Sequence, residues 1–122
     1  MSKRILVIED TEDNRQIIRD LLSSVGYELI EAVDGAAGVA MAQTHRPDLI
    51  LMDIQLPVVD GYEATRRIRA IPELAEVPIV AVTSHALSGD EAKTREAGCD
   101  GYIAKPFSPR QLLAKVRELL PE

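Results

Sequence analysis

Five short apolar runs alternate with five helical patterns along this chain, and no other feature of its 122 residues constrains the fold as much. The first run, Arg4 to Glu9, is rich in Ile and Val and is closed by the acidic pair Glu9-Asp10. Ile17, Ile18, Leu21, Leu22 and Val25 follow at the spacing of one helix face, with Thr11 or Asp13 as its cap and Gly26 as its stop. Tyr27 to Ala32 is a second, shorter strand, and Gly35 to His45 a helix of small residues that ends before Pro47. Asp48 to Asp53 is continuously apolar between its end carboxylates, which predicts a strand covered on both faces. A loop punctuated by Pro57 and Gly61 leads into a helix over Tyr62 to Arg69. Pro72 and Pro78 bracket a further connection, and Ile79 to Thr83 is the fourth strand. Ser88-Gly89-Asp90-Glu91 opens a polar helix that Gly98 closes, and Gly101 to Ala104 is the fifth strand. Ser108 caps the last helix, with Pro109 at its first position and Leu112, Leu113, Val116, Leu119 and Leu120 on one face.

This (βα)5 alternation predicts one α/β domain over residues 1–122, a doubly wound parallel sheet with helices on both faces. Hydrophobic residues at 46% and charged residues at 28% exclude disordered, collagen-like and coiled-coil chains. A net charge of −6 argues against non-specific nucleic-acid binding, which needs a basic face. One cysteine, Cys99, excludes an internal disulfide and a cysteine-rich zinc site. No stretch approaches the ~20 apolar residues of a membrane span. The run Ile5 to Ile8 is too short for the apolar core of a signal peptide. The expected setting is the cytoplasm, with no membrane and no direct nucleic-acid partner.

The polar residues interrupt the apolar runs at one place: the carboxyl ends of the strands. Glu9-Asp10 closes the first, Asp53 the third and Thr83 the fourth, and Lys105 follows the fifth. In open α/β sheets, ligand sites form outside those ends, where the strand order reverses. With the order 2-1-3-4-5, Asp10 and Asp53 face one another across a crevice. Carboxylates held together repel unless a cation joins them, and Mg²⁺ suits such oxygen donors. A carboxylate nucleophile, a metal, an ammonium and a hydroxyl make a phosphoryl-binding set. Alone, each is more often a helix cap, a strand former or a surface charge; their coincidence at one sheet edge reverses those odds. Pro106 directly after Lys105 suits a cis peptide that fixes the lysine, with the isomer left open.

Over essentially its whole length the sequence resembles the receiver domains of two-component response regulators. Glu9-Asp10 matches the family's acidic pair, Asp53 to Gly61 its D-x-x-x-P-x-x-x-G segment, Thr83-Ser84 its T/S-small pair, and Lys105-Pro106 its K-P. The resemblance implies a flavodoxin-like fold and a single-domain receiver that accepts a phosphoryl group on Asp53 from a phosphohistidine of a histidine kinase or phosphotransferase. It implies Mg²⁺ or Mn²⁺ held by Asp10, Asp53 and the Gln55 backbone carbonyl, with Glu9 acting through water. Lys105 then pairs with the phosphoryl oxygens, and Thr83 with Tyr102 forms the switch. The output surface is the fourth helix, fifth strand and fifth helix. Asn14, Arg15 and Ile18 are expected on the exposed face of the first helix that meets the phosphodonor. Beyond its own phosphorylation and dephosphorylation no enzymatic activity is implied. The chain is expected as a monomer or a weak, phosphorylation-dependent dimer that acts on a downstream protein.

Three departures from the commonest pattern matter: Glu9 stands where Asp is frequent, Ser84 stands where Ala is common, and the pair Gln55 and His85 occupies positions that in this family influence acyl-phosphate hydrolysis. Other readings fit less well. A phosphatase of the haloacid dehalogenase type has a second Asp where this chain has Gln55. A flavodoxin needs a phosphate loop where Glu9-Asp10 would repel one. A receiver-like interaction module that is never phosphorylated is the alternative.

Overall fold

The computed structural model describes residues 3–83 and 90–120. Five strands, β1 (Arg4–Ile8), β2 (Glu28–Ala32), β3 (Leu49–Asp53), β4 (Ile79–Thr83) and β5 (Gly101–Ala104), form one sheet in the order β2-β1-β3-β4-β5. Every neighbouring pair is parallel. The connections are α1 (Glu12–Ser24), α2 (Gly35–His45), α3 (Gly61–Arg69) and α4 (Asp90–Ala97), and α5 (Pro109–Leu119) closes the fold. A short 3₁₀ turn, Pro72–Leu74, precedes β4.

Alternate strand residues point to opposite faces, and both faces are covered. Ile5, Val7, Leu49, Leu51 and Val80 pack with Ile18 and Leu22 of α1 and with Leu112 and Val116 of α5. Leu6, Ile8, Ile50 and Met52 pack with Ala42 of α2 and with Ala64 and Ile68 of α3. This explains the unbroken apolar runs of β1 and β3. Gly26 ends α1 with φ +97 and Gly98 follows α4 with φ +118, as their helix-stop roles require. Ser108 caps α5 in a full capping box with Gln111. Thr11 is the N-cap residue of α1, yet its side chain makes no capping bond, and Asp13 lies inside the helix.

The segment after β3 turns sharply. The Val59 N–H donates to the Pro57 carbonyl at 2.8 Å across Val58, whose φ is +70. This is a γ-turn at a β-branched residue that is 80% exposed, a conformation L side chains disfavour by roughly 1–2 kcal/mol. Val58→Gly removes that cost and little packing, against the entropy a glycine gives the unfolded chain. It is expected to raise stability by up to about 1 kcal/mol, read as a higher urea midpoint at unchanged slope. A lower midpoint would show that the turn holds less strain than a glycine there costs in unfolded-chain entropy. Gly61 is required for another reason. A β-carbon there would lie 2.5 Å from the Asp53 carbonyl oxygen, so the start of α3 can fold back over the end of β3 only without one.

Candidate functional site

Glu9 and Asp10 leave β1 directly, and Asp53 is the last residue of β3, the neighbouring strand. One carboxylate oxygen of each lies within 4.8 Å of the others. Glu9 (2% exposed) and Asp53 (5% exposed) are buried, and Asp10 faces solvent. Lys105 reaches them from beyond β5. Its backbone N–H donates to the Thr83 carbonyl at 2.7 Å, and the peptide to Pro106 is cis. The Lys105 ammonium donates to Glu9 Oε1 at 2.7 Å and to Asp53 Oδ2 at 3.3 Å.

Backbone donors take the remaining oxygens. Asp53 Oδ1 accepts from the Gln55 N–H at 3.0 Å, and Glu9 Oε2 accepts from the Thr11 N–H at 3.1 Å. Asp10 has no side-chain hydrogen bond among the described residues. Thr83 is buried at the end of β4, and Tyr102 is half-buried on β5 beside it, in register with Ala81.

Burial and the neighbouring Glu9 charge push Asp53 up from 3.8 to about 6, against the pull of the Gln55 N–H and Lys105. Glu9 is held below its ordinary value, because its bonds from Lys105 and Thr11 outweigh burial. Lys105 is raised, since Glu9 and Asp53 outweigh the burial that disfavours its charge. The two buried carboxylates divide the work: Glu9 is committed to the lysine, and Asp53 stays more basic than an ordinary aspartate. With all three carboxylates ionised, one ammonium leaves the cluster with excess negative charge. Hard oxygen donors in that arrangement fit a divalent cation such as Mg²⁺.

The geometry therefore joins Glu9, Asp10, Asp53 and Lys105, with Gln55 and Thr83 at their edge. Ser84 and His85 lie outside the described residues. One expectation needs correcting. Ile18 is not exposed: it is 3% accessible and packs in the α1–α5 core with Leu22, four residues on. Arg15 is not presented to solvent either. It is bonded to the Glu9 carbonyl, Glu12 and Glu31. The outward apolar residue of α1 is Ile17, 58% exposed. Together with Asn14, Ile18, Lys105, Pro106 and Phe107 it lines a largely apolar groove of about 470 Å³ beside the acidic cluster. The groove continues past Asp20 and Leu21 to Pro109.

A parallel sheet of this order, with an acidic cluster and a lysine at its carboxyl edge, is a doubly wound α/β fold with a candidate site at its topological switch point. The chain matches the family described as Response regulator receiver domain over residues 5–117 and belongs to it. It is a receiver domain of the DivK- and CheY-like kind, a signalling module of two-component systems. It is 42% identical over 120 residues to the polar-differentiation response regulator DivK of Brucella anthropi, and equally to that of Brucella ovis; each match covers 98% of both chains. Among solved structures it resembles the receiver domain of the sensor histidine kinase PA1611 of Pseudomonas aeruginosa at 40% identity, with a TM-score of 0.93 and full coverage of both chains. That structure has a magnesium ion coordinated in its active-site cleft. The chemotaxis protein CheY4 of Vibrio cholerae is 28% identical, with a TM-score of 0.93 and coverage of 98% and 99%. Among the described residues no helix is long and apolar enough to cross a membrane.

Proposed function

We propose that residues 1–122 form one receiver domain that takes a phosphoryl group onto Asp53 from a phosphohistidine of a histidine kinase or histidine phosphotransferase. The observation that carries this reading is the Lys105 ammonium set between two buried carboxylates, one of them raised to about 6. At neutral pH Asp53 is ionised, yet more basic than an ordinary aspartate, which suits a carboxylate nucleophile. Its oxygen forms the new P–O bond as the P–N bond to the imidazole breaks. The electron pair of that bond stays with the imidazole nitrogen, which takes up a proton.

Asp10, Asp53 and the Gln55 backbone carbonyl are the groups to hold Mg²⁺ or Mn²⁺, with Glu9 acting through water. A bound divalent ion supplies charge neutralisation to the oxygens of the transferring group. Lys105 neutralises the remaining phosphoryl charge, and Thr83 offers its hydroxyl to the same oxygens. Tyr102 responds on the neighbouring strand, so that the surface of α4, β5 and α5 changes its affinity for a downstream protein. Phosphorylation acts as a population shift, through contacts made only in the active form. Catalysis is confined to the chain's own phosphorylation and dephosphorylation, in the cytoplasm, by a monomer or a weak dimer formed on phosphorylation.

Beryllofluoride tests the site directly, as a phosphoryl mimic. A bound ¹⁹F signal is expected with Mg²⁺ in the wild type and not in Asp53→Asn. No bound signal in the wild type would favour the interaction module that is never phosphorylated.

The groove between α1 and the turn after β5 is the proposed seat of the phosphodonor, because Lys105 joins its wall to Asp53. Ile17→Glu puts a charge in the apolar groove. The rate of phosphorylation by an active phosphohistidine protein, divided by the rate with acetyl phosphate, is expected to fall at least about tenfold, as for a central interface residue. An unchanged ratio would move the donor elsewhere.

A further inference from the structure

The Glu9 main chain is held as firmly as its side chain. The Glu9 N–H donates to the Ala32 carbonyl of β2 at 3.1 Å. Its own carbonyl accepts from Arg15 Nη1 of α1 at 2.8 Å. Arg15 is itself clamped: Nη2 meets Glu12 Oε1 at 2.5 Å and Nε meets Glu31 Oε1 at 3.2 Å, leaving its side chain 12% exposed. Arg19 braces the same two acids, donating to Glu31 at 2.6 and 2.9 Å and to Glu12 at 3.3 Å, and does not touch Glu9. Two arginines and two glutamates thus form a neutral network at the β2 edge of the sheet, and only one member reaches the acidic cluster.

Helix stability explains the Glu12–Arg15 pair, three residues apart on α1, but not the bond to the Glu9 carbonyl. Arg15 sits in the second turn of α1, towards the positive end of the helix dipole, where a cation is disfavoured. The consequence of that bond is geometric. The peptide unit is planar, so holding the Glu9 oxygen fixes the plane that carries the Asp10 nitrogen and Cα. Asp10 has no side-chain hydrogen bond of its own among the described residues, so its aim is set by its backbone. Arg15 holds the peptide before it, and the Glu9 carboxylate holds the Thr11 N–H after it.

We infer that Arg15 is a positioning residue for the metal-binding end of β1: through the Glu9 carbonyl it aims Asp10 at the cation shared with Asp53. The inference rests on the reading of this cluster as a Mg²⁺ site. It has a sign that simple electrostatics does not share. Removing a positive charge close to three carboxylates should by Coulomb attraction tighten a divalent cation, whereas losing the clamp should loosen it.

The test is a Mg²⁺ titration of the whole chain, followed by backbone amide shifts, for the wild type, Arg15→Met, Arg15→Lys and Arg19→Met. Arg15→Met is expected to weaken Mg²⁺ about tenfold, as loss of a group orienting a ligand commonly does. Arg15→Lys keeps the charge without the fork and is expected to fall between. Arg19→Met is expected to stay within about twofold, since Arg19 bonds Glu31 and Glu12 but not the Glu9 carbonyl. Unchanged or tighter binding in Arg15→Met would overturn the inference. Equal losses in Arg15→Met and Arg19→Met would also overturn it, by assigning the effect to the stability of the corner. A wild type that binds no Mg²⁺ would instead overturn the reading of the cluster itself, and the inference with it. Native amide spectra of the variants away from β1 and α1 separate these results from misfolding.

Discussion

Lys105→Met is expected to destabilise the metal-free protein at pH 7 by about 3 kcal/mol, the lower end of what breaking a buried ion pair costs. Among the described residues the ammonium is the one cation that pairs with both Glu9 and Asp53, at 2.7 and 3.3 Å. Without it two buried carboxylates repel, and the values of both acids rise. A carboxyl whose folded pKa lies above its unfolded one favours folding only while protonated. The lost stability should therefore return as the pH falls below the raised values, and should return at pH 7 when Mg²⁺ is added. Urea unfolding of wild type and variant at pH 5 and 7, with and without Mg²⁺, checks all three points. A deficit that does not change with pH or Mg²⁺ would mean that Lys105 acts through packing.

Asp53→Asn should have the opposite effect on stability. Asp53 is the member of the cluster that folding disfavours, its value raised from 3.8 to about 6 chiefly by burial. That difference corresponds to a ceiling of about 3 kcal/mol against the ionised folded state. The penalty is absent below the unfolded value and fully present above the folded one, so it develops between roughly pH 4 and 6. The amide keeps the shape without the charge, and Lys105 retains Glu9. Metal-free Asp53→Asn is therefore expected to be more stable than the wild type by about 1–2 kcal/mol at pH 7, with the difference fading towards pH 4. Mg²⁺ should narrow the gap, because it stabilises the wild type more. A gap between Asp53→Asn and the wild type no larger at pH 7 than at pH 4 would contradict the raised value.

Most of this architecture was legible in the sequence because its signals are local and repeated. Unbroken apolar runs gave buried parallel strands, and Gly26, Gly98 and Ser108-Pro109 marked helix ends correctly. The site was legible for a topological reason: parallel strands place all their carboxyl ends on one edge, so terminal polar residues converge wherever they fall in the chain. What was not legible depends on rotation and on contacts between distant elements. Ile17 and Ile18 are both apolar neighbours on α1, and one residue, about 100° of helix, decides that Ile18 enters the core while Ile17 faces the groove. The bond from Arg15 to the Glu9 carbonyl leaves no trace in residue spacing. Its one sequence signal is an arginine close to a helix start, where a cation is out of place. Val58 gives no warning either, since turn chemistry predicts Gly or Asn at positive φ.

Intact mass after incubation with acetyl phosphate tests the central claim most directly, with wild type and Asp53→Asn side by side, each with Mg²⁺ and with EDTA. One added phosphoryl group, about 80 Da, is expected on the wild type with Mg²⁺ and in no other sample. The same gain on Asp53→Asn, or a gain on the wild type that EDTA leaves intact, would contradict phosphorylation of Asp53 through the metal-bound carboxylates.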